Sequence, residues 1–190
     1  MSLLELVDDS FTDKNTTHSY LPLYQTLLEG KKESAKNVLE VGIYMGGSIQ
    51  LWSRFFTNAT VHALDVMPLE RVRAELKADA KVVLHTSTDA YNEQYFKTHF
   101  LGKVQFDFML DDGPHSIESM IQFIQLYSQL LTPDGILIVE DVQHVDWLAI
   151  LTEHVPEHLK PFVKTYDLRP NKGRYDDIVF TIDRTLQPGC

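Results

Sequence analysis

A chain of 190 residues, of which 44% are hydrophobic and 23% are charged, is typical of one compact globular domain rather than a disordered or fibrous protein. The formal net charge of −10 argues against a nucleic-acid partner, because binding to phosphates requires a local excess of lysine and arginine. The single cysteine, Cys190, permits no disulfide within the chain, and uncharged apolar runs stay far below the roughly 18 residues that a membrane-spanning helix requires.

Residues 1–35 precede the first predicted strand. The opening MSLLELVDDS lacks the basic region and the long apolar core of a secretory signal, so we expect a cytoplasmic protein without a membrane partner. Tyr20 and Tyr24 are four residues apart on a predicted helix, where they could line a pocket or pack in the core. His18 is a further candidate for the lining of that pocket.

Short β-branched and aromatic runs alternate with helical patterns through the middle of the chain. The strand-like runs are residues 37–42, 60–66, 81–87, 104–112 and 135–142. The clearest helical pattern covers residues 117–131, and Pro68 stands where a helix could begin after the second strand. Nearly continuous apolar strands separated by helices indicate parallel strands covered on both faces. We therefore predict an α/β fold with a doubly wound sheet.

The last third of the chain departs from this alternation. Two strand-like runs, residues 161–168 and 175–183, are separated by the turn-forming cluster RPNKGR. That connection is too short for a crossover helix, so the two strands should pair antiparallel at the edge of the sheet. No internal repeat, low-complexity tract or linker interrupts the sequence, and residues 1–190 are predicted to form a single domain.

A glycine-rich loop follows the first predicted strand, in VLEVGIYMGGSIQLW (38–52). The strand contains Glu40, and Gly42, Gly46 and Gly47 precede a helix predicted to begin near Ser48. Glycines allow the backbone to approach a ligand, and a helix start offers unpaired N–H groups to a carboxylate, which indicates a cofactor loop. The alternative is a tight turn that serves packing alone. The pattern E-x-G-x-x-x-G-G differs from G-x-G-x-x-G, which weakens the case for the pyrophosphate of NAD.

Acidic residues also follow the second and third predicted strands. Asp65 can accept hydrogen bonds from both hydroxyls of an adenosine ribose, or it could cap the next helix. Asp89, in HTSTDAYN, is placed to approach the edge of a base, and helix capping is again the alternative. Both positions are consistent with a nucleoside in the cleft at the ends of the strands.

Two pairs of carboxylates end the two most apolar strands. Asp111 and Asp112 stand in LDDGPH, and Glu140 and Asp141 stand in VED. Carboxylates gathered at neighbouring strand ends repel one another and lose solvation, so their clustering indicates a compensating cation. Oxygen ligands without cysteine favour Mg²⁺, Mn²⁺ or Ca²⁺ over zinc. The alternative is that these residues are solvated loop acids or helix caps.

These motifs, in this order, resemble the class I S-adenosylmethionine-dependent methyltransferases, whose Rossmann-like, seven-stranded sheet is mostly parallel with an antiparallel final strand. DDGPH followed by VED resembles more narrowly the metal-dependent sugar O-methyltransferases that tailor macrolides and other antibiotics, together with the related cephalosporin-hydroxylase-like group. The resemblance implies that Asp112, Glu140 and Asp141 hold Mg²⁺ or Mn²⁺ and that His115 is the general base.

The resemblance also implies the contacts to the cofactor. S-adenosylmethionine would be bound by Glu40, Gly42, Tyr44, Gly46, Gly47, Ser48, Asp65, Ser87, Asp89 and Asp111. FTDKNTTHSYLPLY (11–24) is similar to the segment that precedes the first strand in that group, so residues 1–35 are expected to cover the active site as a helical segment. Thr86 departs from the family pattern, in which a carboxylate is common at this position.

The predicted activity is transfer of a methyl group to a hydroxyl of a small molecule, such as a sugar or a glycosylated natural product. The hydroxyl must lose its proton as it attacks, and a neutral His115, aimed by the stiff Gly113–Pro114 turn, can accept it. His144 is a second candidate base. The alternatives are a nicotinamide-dependent reductase and a nonenzymatic cofactor-binding domain, and a homodimer is one alternative for the assembly state.

Overall fold

One sheet organises the chain, of which the computed structural model describes residues 1–186. Within this range the strands are β1 Asn37–Val41, β2 Thr60–Leu64, β3 Val82–His85, β4 Phe106–Asp111, β5 Leu131–Val139, β6 Val163–Asp167 and β7 Ile178–Asp183. Their order is β3-β2-β1-β4-β5-β7-β6. Pairs from β3 to β5 are parallel, and β7 runs antiparallel to both β5 and β6. The predicted doubly wound α/β fold with an antiparallel final strand is confirmed, and Cys190 lies outside the described residues.

The helices cover both faces of the sheet. They are α1 Leu3–Leu6, α2 Leu21–Leu28, α3 Gly47–Phe55, α4 Ala74–Ala78, α5 Glu93–His99, α6 Ile117–Tyr127, α7 Trp147–Glu153 and α8 Arg169–Lys172. Helices α1 to α4 pack on one face, and α5 to α7 pack on the other. None of the helices in the described part of the chain has the length and apolar character needed to cross a bilayer.

The central strands β1 and β4 are largely apolar because both of their faces are buried. Successive side chains of a strand point to opposite faces, so Val38 packs with Phe108 on one side of the sheet. The next residues, Leu39 and Met109, belong to the core on the other side. All four side chains are fully buried. This double burial explains the near-continuous apolar runs that predicted parallel strands.

The pairing register brings the ends of four strands to one edge of the sheet. Val41 at the end of β1 pairs with Leu64 of β2 and Asp111 of β4, and Asp111 pairs with Val139 of β5. Because β7 is antiparallel, its beginning lies at this same edge, where Val142 N donates to the carbonyl of Ile178 at 3.1 Å. The residues just before β7 therefore join the loops that follow β1, β4 and β5.

Candidate active site

A cleft of about 450 Å³ opens at the carboxyl ends of β1, β2 and β4, where open α/β sheets bind ligands. Its volume lies within the range of small-molecule sites. Several residues predicted to form the site lie on its wall: Gly42, Tyr44, Asp65, Asp89 and Asp112. A larger and shallower depression, of about 610 Å³, lies around the amino end of β1, near Lys36 and Gly102, and contains none of the predicted residues.

Gly42 lets the loops after β1 and β4 meet at the cleft. Its φ of 100° is a conformation that residues with a side chain rarely adopt, and a Cβ at this position would overlap the carbonyl oxygen of Asp112. The backbone N–H of Asp112 donates to the carbonyl of Val41 at 2.9 Å. A side chain at position 42 would therefore push Asp112 away from β1.

Asp65 holds the glycine-rich loop from the end of β2. Its Oδ2 accepts hydrogen bonds from the backbone N–H groups of Ile43 at 2.7 Å and Tyr44 at 3.3 Å. Its Oδ1 accepts from the backbone N–H of Met67 at 2.8 Å. The side chain does not cap a helix, because the next helical turn begins after Pro68. Asp65 thus lies on the wall of the cleft and fixes the loop that forms the opposite wall.

Asp112, His115 and Asp141 converge beside the cleft. His115 Nε2 lies 3.2 Å from Asp112 Oδ1 and 3.5 Å from Asp141 Oδ2. One potential ligand atom from each residue lies within 4.8 Å of the other two. Carboxylate and imidazole groups at this spacing can hold a divalent cation. Since the loops that carry them follow β4 and β5, the register of the sheet produces the convergence.

The backbone is strained at the ends of four strands around the cleft. In residues 1–186, the non-glycine residues with positive φ are Tyr44, Ser87, His115 and Asp141, with values between 43° and 54°. They follow β1, β3, β4 and β5 respectively, and all four are among the residues predicted to form the site. Such a conformation costs free energy for a residue with a side chain and is concentrated at functional sites.

A buried lysine reaches the same group of carboxylates from the segment before α2. The Lys14 side chain is 1% exposed, and its Nζ lies 2.7 Å from Asp112 Oδ2 and 3.7 Å from Glu40 Oε1. It also donates to Glu140 Oε1. Glu140 Oε2 accepts from the hydroxyl of Tyr24, so both oxygens of Glu140 are engaged. Lys14 therefore supplies a positive charge where the sequence predicted a divalent cation.

Lys14 and the three carboxylates around it do not share charge equally. Burial by itself would lower the pKa of the Lys14 ammonium, but the carboxylates of Asp112, Glu140 and Glu40 raise it well above 10.5, so the ammonium stays charged. Burial opposes ionisation of Asp112, yet Lys14 and the hydrogen bond with His115 hold its pKa at about 2. One ammonium cannot neutralise three carboxylates, and burial raises the pKa of Glu40 to about 7.

The segment before β1 gives further hydrogen bonds to the site. The Tyr20 hydroxyl donates to Asp141 Oδ1. His18 Nδ1 lies 2.6 Å from Asp177 Oδ1 and 3.4 Å from Asp141 Oδ1. Asp176 completes a second group, with His18 and Asp177, whose potential ligand atoms lie within 4.8 Å of one another. The beginning of the chain is thus fixed to the loops after β5 and before β7 by buried polar contacts.

Comparison with known proteins identifies the family. A family profile described as "Methyltransferase domain" matches residues 39–142, which is more than half of the chain and includes the glycine-rich loop, both acidic pairs and His115. The chain belongs to this methyltransferase family. The family membership predicted from the sequence motifs is therefore confirmed.

The curated relatives of this chain include two sugar O-methyltransferases. The 8-demethyl-8-alpha-L-rhamnosyl tetracenomycin-C 2'-O-methyltransferase of Streptomyces olivaceus is 25% identical over 145 residues, which are 73% of this chain and 37% of the relative. The mycinamicin VI 2''-O-methyltransferase of Micromonospora griseorubida is 26% identical over 155 residues, which are 76% of this chain and again 37% of the relative. The chain thus spans little more than a third of the length of either relative.

Solved structures show the same fold. MycE methyltransferase from the mycinamycin biosynthetic pathway, in complex with Mg and SAH, matches with a TM-score of 0.73 at 18% identity and covers 96% of this chain and 54% of MycE. An O-methyltransferase from Bacillus cereus in complex with SAH matches with a TM-score of 0.59 at 16% identity, covering 85% of this chain and 79% of that one. At these identities the likeness concerns the fold.

Four residues of the methyltransferase motif do not lie on the wall of the cleft. Glu40 is fully buried, accepting a hydrogen bond from Ser48 Oγ at 2.7 Å. Gly47 packs so closely against the segment before α2 that a Cβ there would overlap the carbonyl of Phe11. Gly46 has a φ of 75° and is the N-cap of α3. These residues hold the glycine-rich loop from the side that faces away from the cleft. That they contact the cofactor directly remains a prediction.

Two further predicted residues of the methyltransferase lie near the cleft without lining it. Ser87 is exposed on the loop after β3. Asp111 lies beneath the cleft, where its Oδ1 accepts a hydrogen bond from the Tyr91 hydroxyl at 2.6 Å. Burial raises the pKa of Asp111 to about 7. Tyr91 itself lies on the wall of the cleft, so Asp111 fixes the position of a hydroxyl on that wall.

Sequence reasoning missed Lys14 and the acidic pair before β7. Lys14 lies within the motif FTDKNTTHSYLPLY (11–24), but nothing in that segment singled it out from its polar neighbours. Asp176 and Asp177 could have been predicted, because an antiparallel last strand must begin at the edge where the other acids lie. His144, the second candidate base, lies on the surface and pairs with Asp146, with 3.3 Å between Nδ1 and Oδ2. It is one of three exposed residues that separate Val142 from Asp146.

Proposed function

We propose that this protein is an S-adenosylmethionine-dependent O-methyltransferase that uses a divalent cation to methylate a hydroxyl of a small molecule, a sugar or a glycosylated natural product. The observation that carries the proposal is the convergence of Asp112, His115 and Asp141 beside the cleft of a methyltransferase domain. Two curated relatives are named as 2'-O- and 2''-O-methyltransferases of glycosylated natural products, which supports a sugar hydroxyl as acceptor.

We assign the cleft between the loops after β1 and β3 to the cofactor. The walls carry Asp65, which accepts three backbone hydrogen bonds and keeps one acceptor position for a ribose hydroxyl, and Asp89, suited to the edge of a base. Tyr44, which is 77% exposed, can close over the bound molecule. Asp112 lies on the same wall, so the methyl group can face the group of residues that prepares the acceptor. Holding acceptor and methyl donor in line accounts for a large part of the expected rate enhancement.

We assign the role of general base to His115. Its side chain is 32% exposed and is held by Asp112 at 3.2 Å, so it can meet an acceptor while its orientation is fixed. The hydrogen bond to Asp112 raises the pKa of His115 above 6.5, despite the opposing effect of burial. A base of higher pKa accepts the hydroxyl proton more readily, and the imidazolium that forms is stabilised by two neighbouring carboxylates.

The residues present fit a divalent cation. Asp112 and Asp141 would hold Mg²⁺ or Mn²⁺, because their oxygens and the His115 nitrogen lie within 4.8 Å of one another and Asp112 is accessible from the cleft. When bound, the ion would lower the pKa of an acceptor hydroxyl and orient it. Glu140 could join them only if it exchanged its contact with Lys14 for the ion.

Calorimetric titration with S-adenosylmethionine and with NADH tests the cofactor, and methyl transfer to rhamnosylated and macrolide glycosides, with Mg²⁺ or chelator, tests the reaction. We expect S-adenosylmethionine to bind and NADH not to bind, and we expect turnover to be lost when a chelator removes the divalent ion. Asp112→Ala should abolish the metal-dependent turnover and leave the affinity for S-adenosylmethionine within about threefold, since Asp112 forms only part of the wall. His144→Ala is the matched control and should be as active as the wild type. Binding of NADH in place of S-adenosylmethionine would refute the proposal.

A further inference from the structure

Lys14 occupies the place between two of the three predicted metal ligands. Its Nζ contacts Asp112 and Glu140 together and lies 3.7 Å from Glu40. The side chain is 1% exposed, so the ammonium cannot reach a substrate and acts only on its carboxylate partners. Lys14 contacts Asp112 Oδ2 and Glu140 Oε1, whereas Asp112 Oδ1 faces His115 and Glu140 Oε2 accepts from Tyr24. A divalent cation that used Asp112 Oδ2 or Glu140 Oε1 would therefore compete with Lys14.

The position of Lys14 is set by the segment that carries it. The backbone N–H of Tyr20 donates to the carbonyl of Lys14 at 3.1 Å, and that of His18 donates to Asp13 at 3.0 Å, so residues 13–20 form a compact turn. This turn is anchored to the loop before β7 by His18 and Asp177. Lys14 itself lies outside the regular helices and strands, in the segment between α1 and α2.

We propose that Lys14 is a displaceable internal cation, which neutralises the carboxylates while the site lacks a divalent ion and gives them up when the ion binds. Asp112 would exchange an ammonium for the ion, and Glu140 would become available as a further ligand. The competition lowers the affinity for the ion, because binding must break a charge-assisted contact between buried groups. This inference rests on the divalent cation of the proposed function and adds that Lys14 lowers the affinity of the site for that ion.

The test is the affinity of the purified protein for Mn²⁺, measured by calorimetry and by the electron paramagnetic resonance signal of free Mn²⁺. Lys14→Met keeps most of the length of the side chain and removes the charge. We expect at least about tenfold tighter Mn²⁺ binding in this variant, because one competing charge-assisted contact is worth that much. Lys31→Met is the matched control. Lys31 is also buried and ion-paired, to Asp134 at 3.0 Å, but on another part of the protein, so its affinity for Mn²⁺ should equal that of the wild type.

Equal or weaker Mn²⁺ binding in Lys14→Met would overturn the inference while leaving the proposed function in place. Measurable Mn²⁺ binding in Lys14→Met, where the wild type shows none, would support the inference. Absence of Mn²⁺ binding in both proteins would overturn the inference and also the metal requirement of the proposed function, whereas binding of S-adenosylmethionine is measured separately.

Hydrogen exchange on the wild-type protein gives a second measurement that does not require the variant to fold. Displacement of Lys14 should loosen the turn, so saturation with Mn²⁺ should speed the exchange of the backbone amides of residues 17–20 by at least about fivefold. Unchanged or slower exchange there would show that Lys14 remains on its carboxylates, and would overturn the displacement. The amides of β1 and β4 should be unaffected and serve as the internal control.

Discussion

Asp111→Asn tests by how much a buried carboxylate beneath the cleft lowers the free energy of unfolding. Asp111 is 3% exposed, and burial raises its pKa from 3.8 to about 7, although the hydrogen bond from Tyr91 opposes the shift. Below pH 3.8 the carboxyl group is neutral in both the folded and the unfolded chain. As the pH rises to about 7, the unfolded chain ionises while the folded chain does not, and stability is lost.

The magnitude follows from the difference between the two pKa values. Each pKa unit is worth about 1.4 kcal/mol, so a rise from 3.8 to about 7 lowers the free energy of unfolding by about 4 kcal/mol between pH 4 and pH 8. Asparagine has the same shape, can accept the same hydrogen bond from Tyr91, and does not ionise. The stability of Asp111→Asn relative to the wild type should therefore increase by about 4 kcal/mol over this range.

Urea denaturation of both proteins at pH 4, 6 and 8, followed by circular dichroism, measures this difference. Comparison at each pH cancels the contributions of all other titrating groups that the substitution does not touch. A stability difference that stayed constant within about 1 kcal/mol from pH 4 to pH 8 would refute the reasoning, since Asp111 would then ionise in the folded protein as it does in the unfolded chain.

Three further predictions concern the base, a close contact and the far edge of the sheet. His115→Ala should lower turnover by about 10²–10⁴. In the wild type, the raised pKa of His115 keeps the imidazole protonated below neutral pH, so activity is lost there; the variant should not show this loss. Full activity across neutral pH would exclude His115 as the general base. Gly113→Ala should destabilise the protein by about 2 kcal/mol in thermal unfolding, because its Cβ would overlap the hydroxyl of Tyr91, whereas Gly30→Ala, with nothing within 4 Å, should not. Burial, together with a neighbouring histidine, lowers the pKa of His85 to about 4, so stability present above pH 6.5 should fall as the pH approaches 4, and His85→Gln should flatten that dependence in melting experiments.

The fold was predictable where the hydrophobic pattern has a single interpretation. The apolar runs of β1 and β4 and the spacing of α6 predicted their elements within a few residues. The start of β5 was wrong, because Pro133, Asp134 and Gly135 are typical of a turn. The strand nevertheless begins at Leu131, which pairs with Phe106 of β4. Regular pairing with β4 and β7 resumes only at Ile136, so the turn-forming residues make an irregularity inside β5 instead of ending it.

The acidic part of the site was predictable because its residues follow strands of known order. The acids at the ends of β4 and β5 had to meet, since parallel neighbours end at one edge of the sheet. The cation that neutralises them was not predictable. Lys14 lies in a polar segment without periodicity, and its partners Asp112 and Glu140 are 98 and 126 positions away. Contacts of this kind depend on the path of a loop, which no local pattern encodes.

The long separation of these partners has a consequence for how the protein is made. Lys14, His18 and Tyr20 leave the ribosome before the acceptors that bind them, which are translated 98 to 159 positions later. Lys14 and Tyr20 therefore remain without partners until the loops after β4 and β5 have been synthesised, and His18 remains without Asp177 until the residues just before β7 have been synthesised. The turn that carries them can dock completely only at that late stage. Contacts of such high sequence separation form slowly. Newly made chains should pass through a state with an assembled sheet and an undocked beginning, which a protease would cleave ahead of β1.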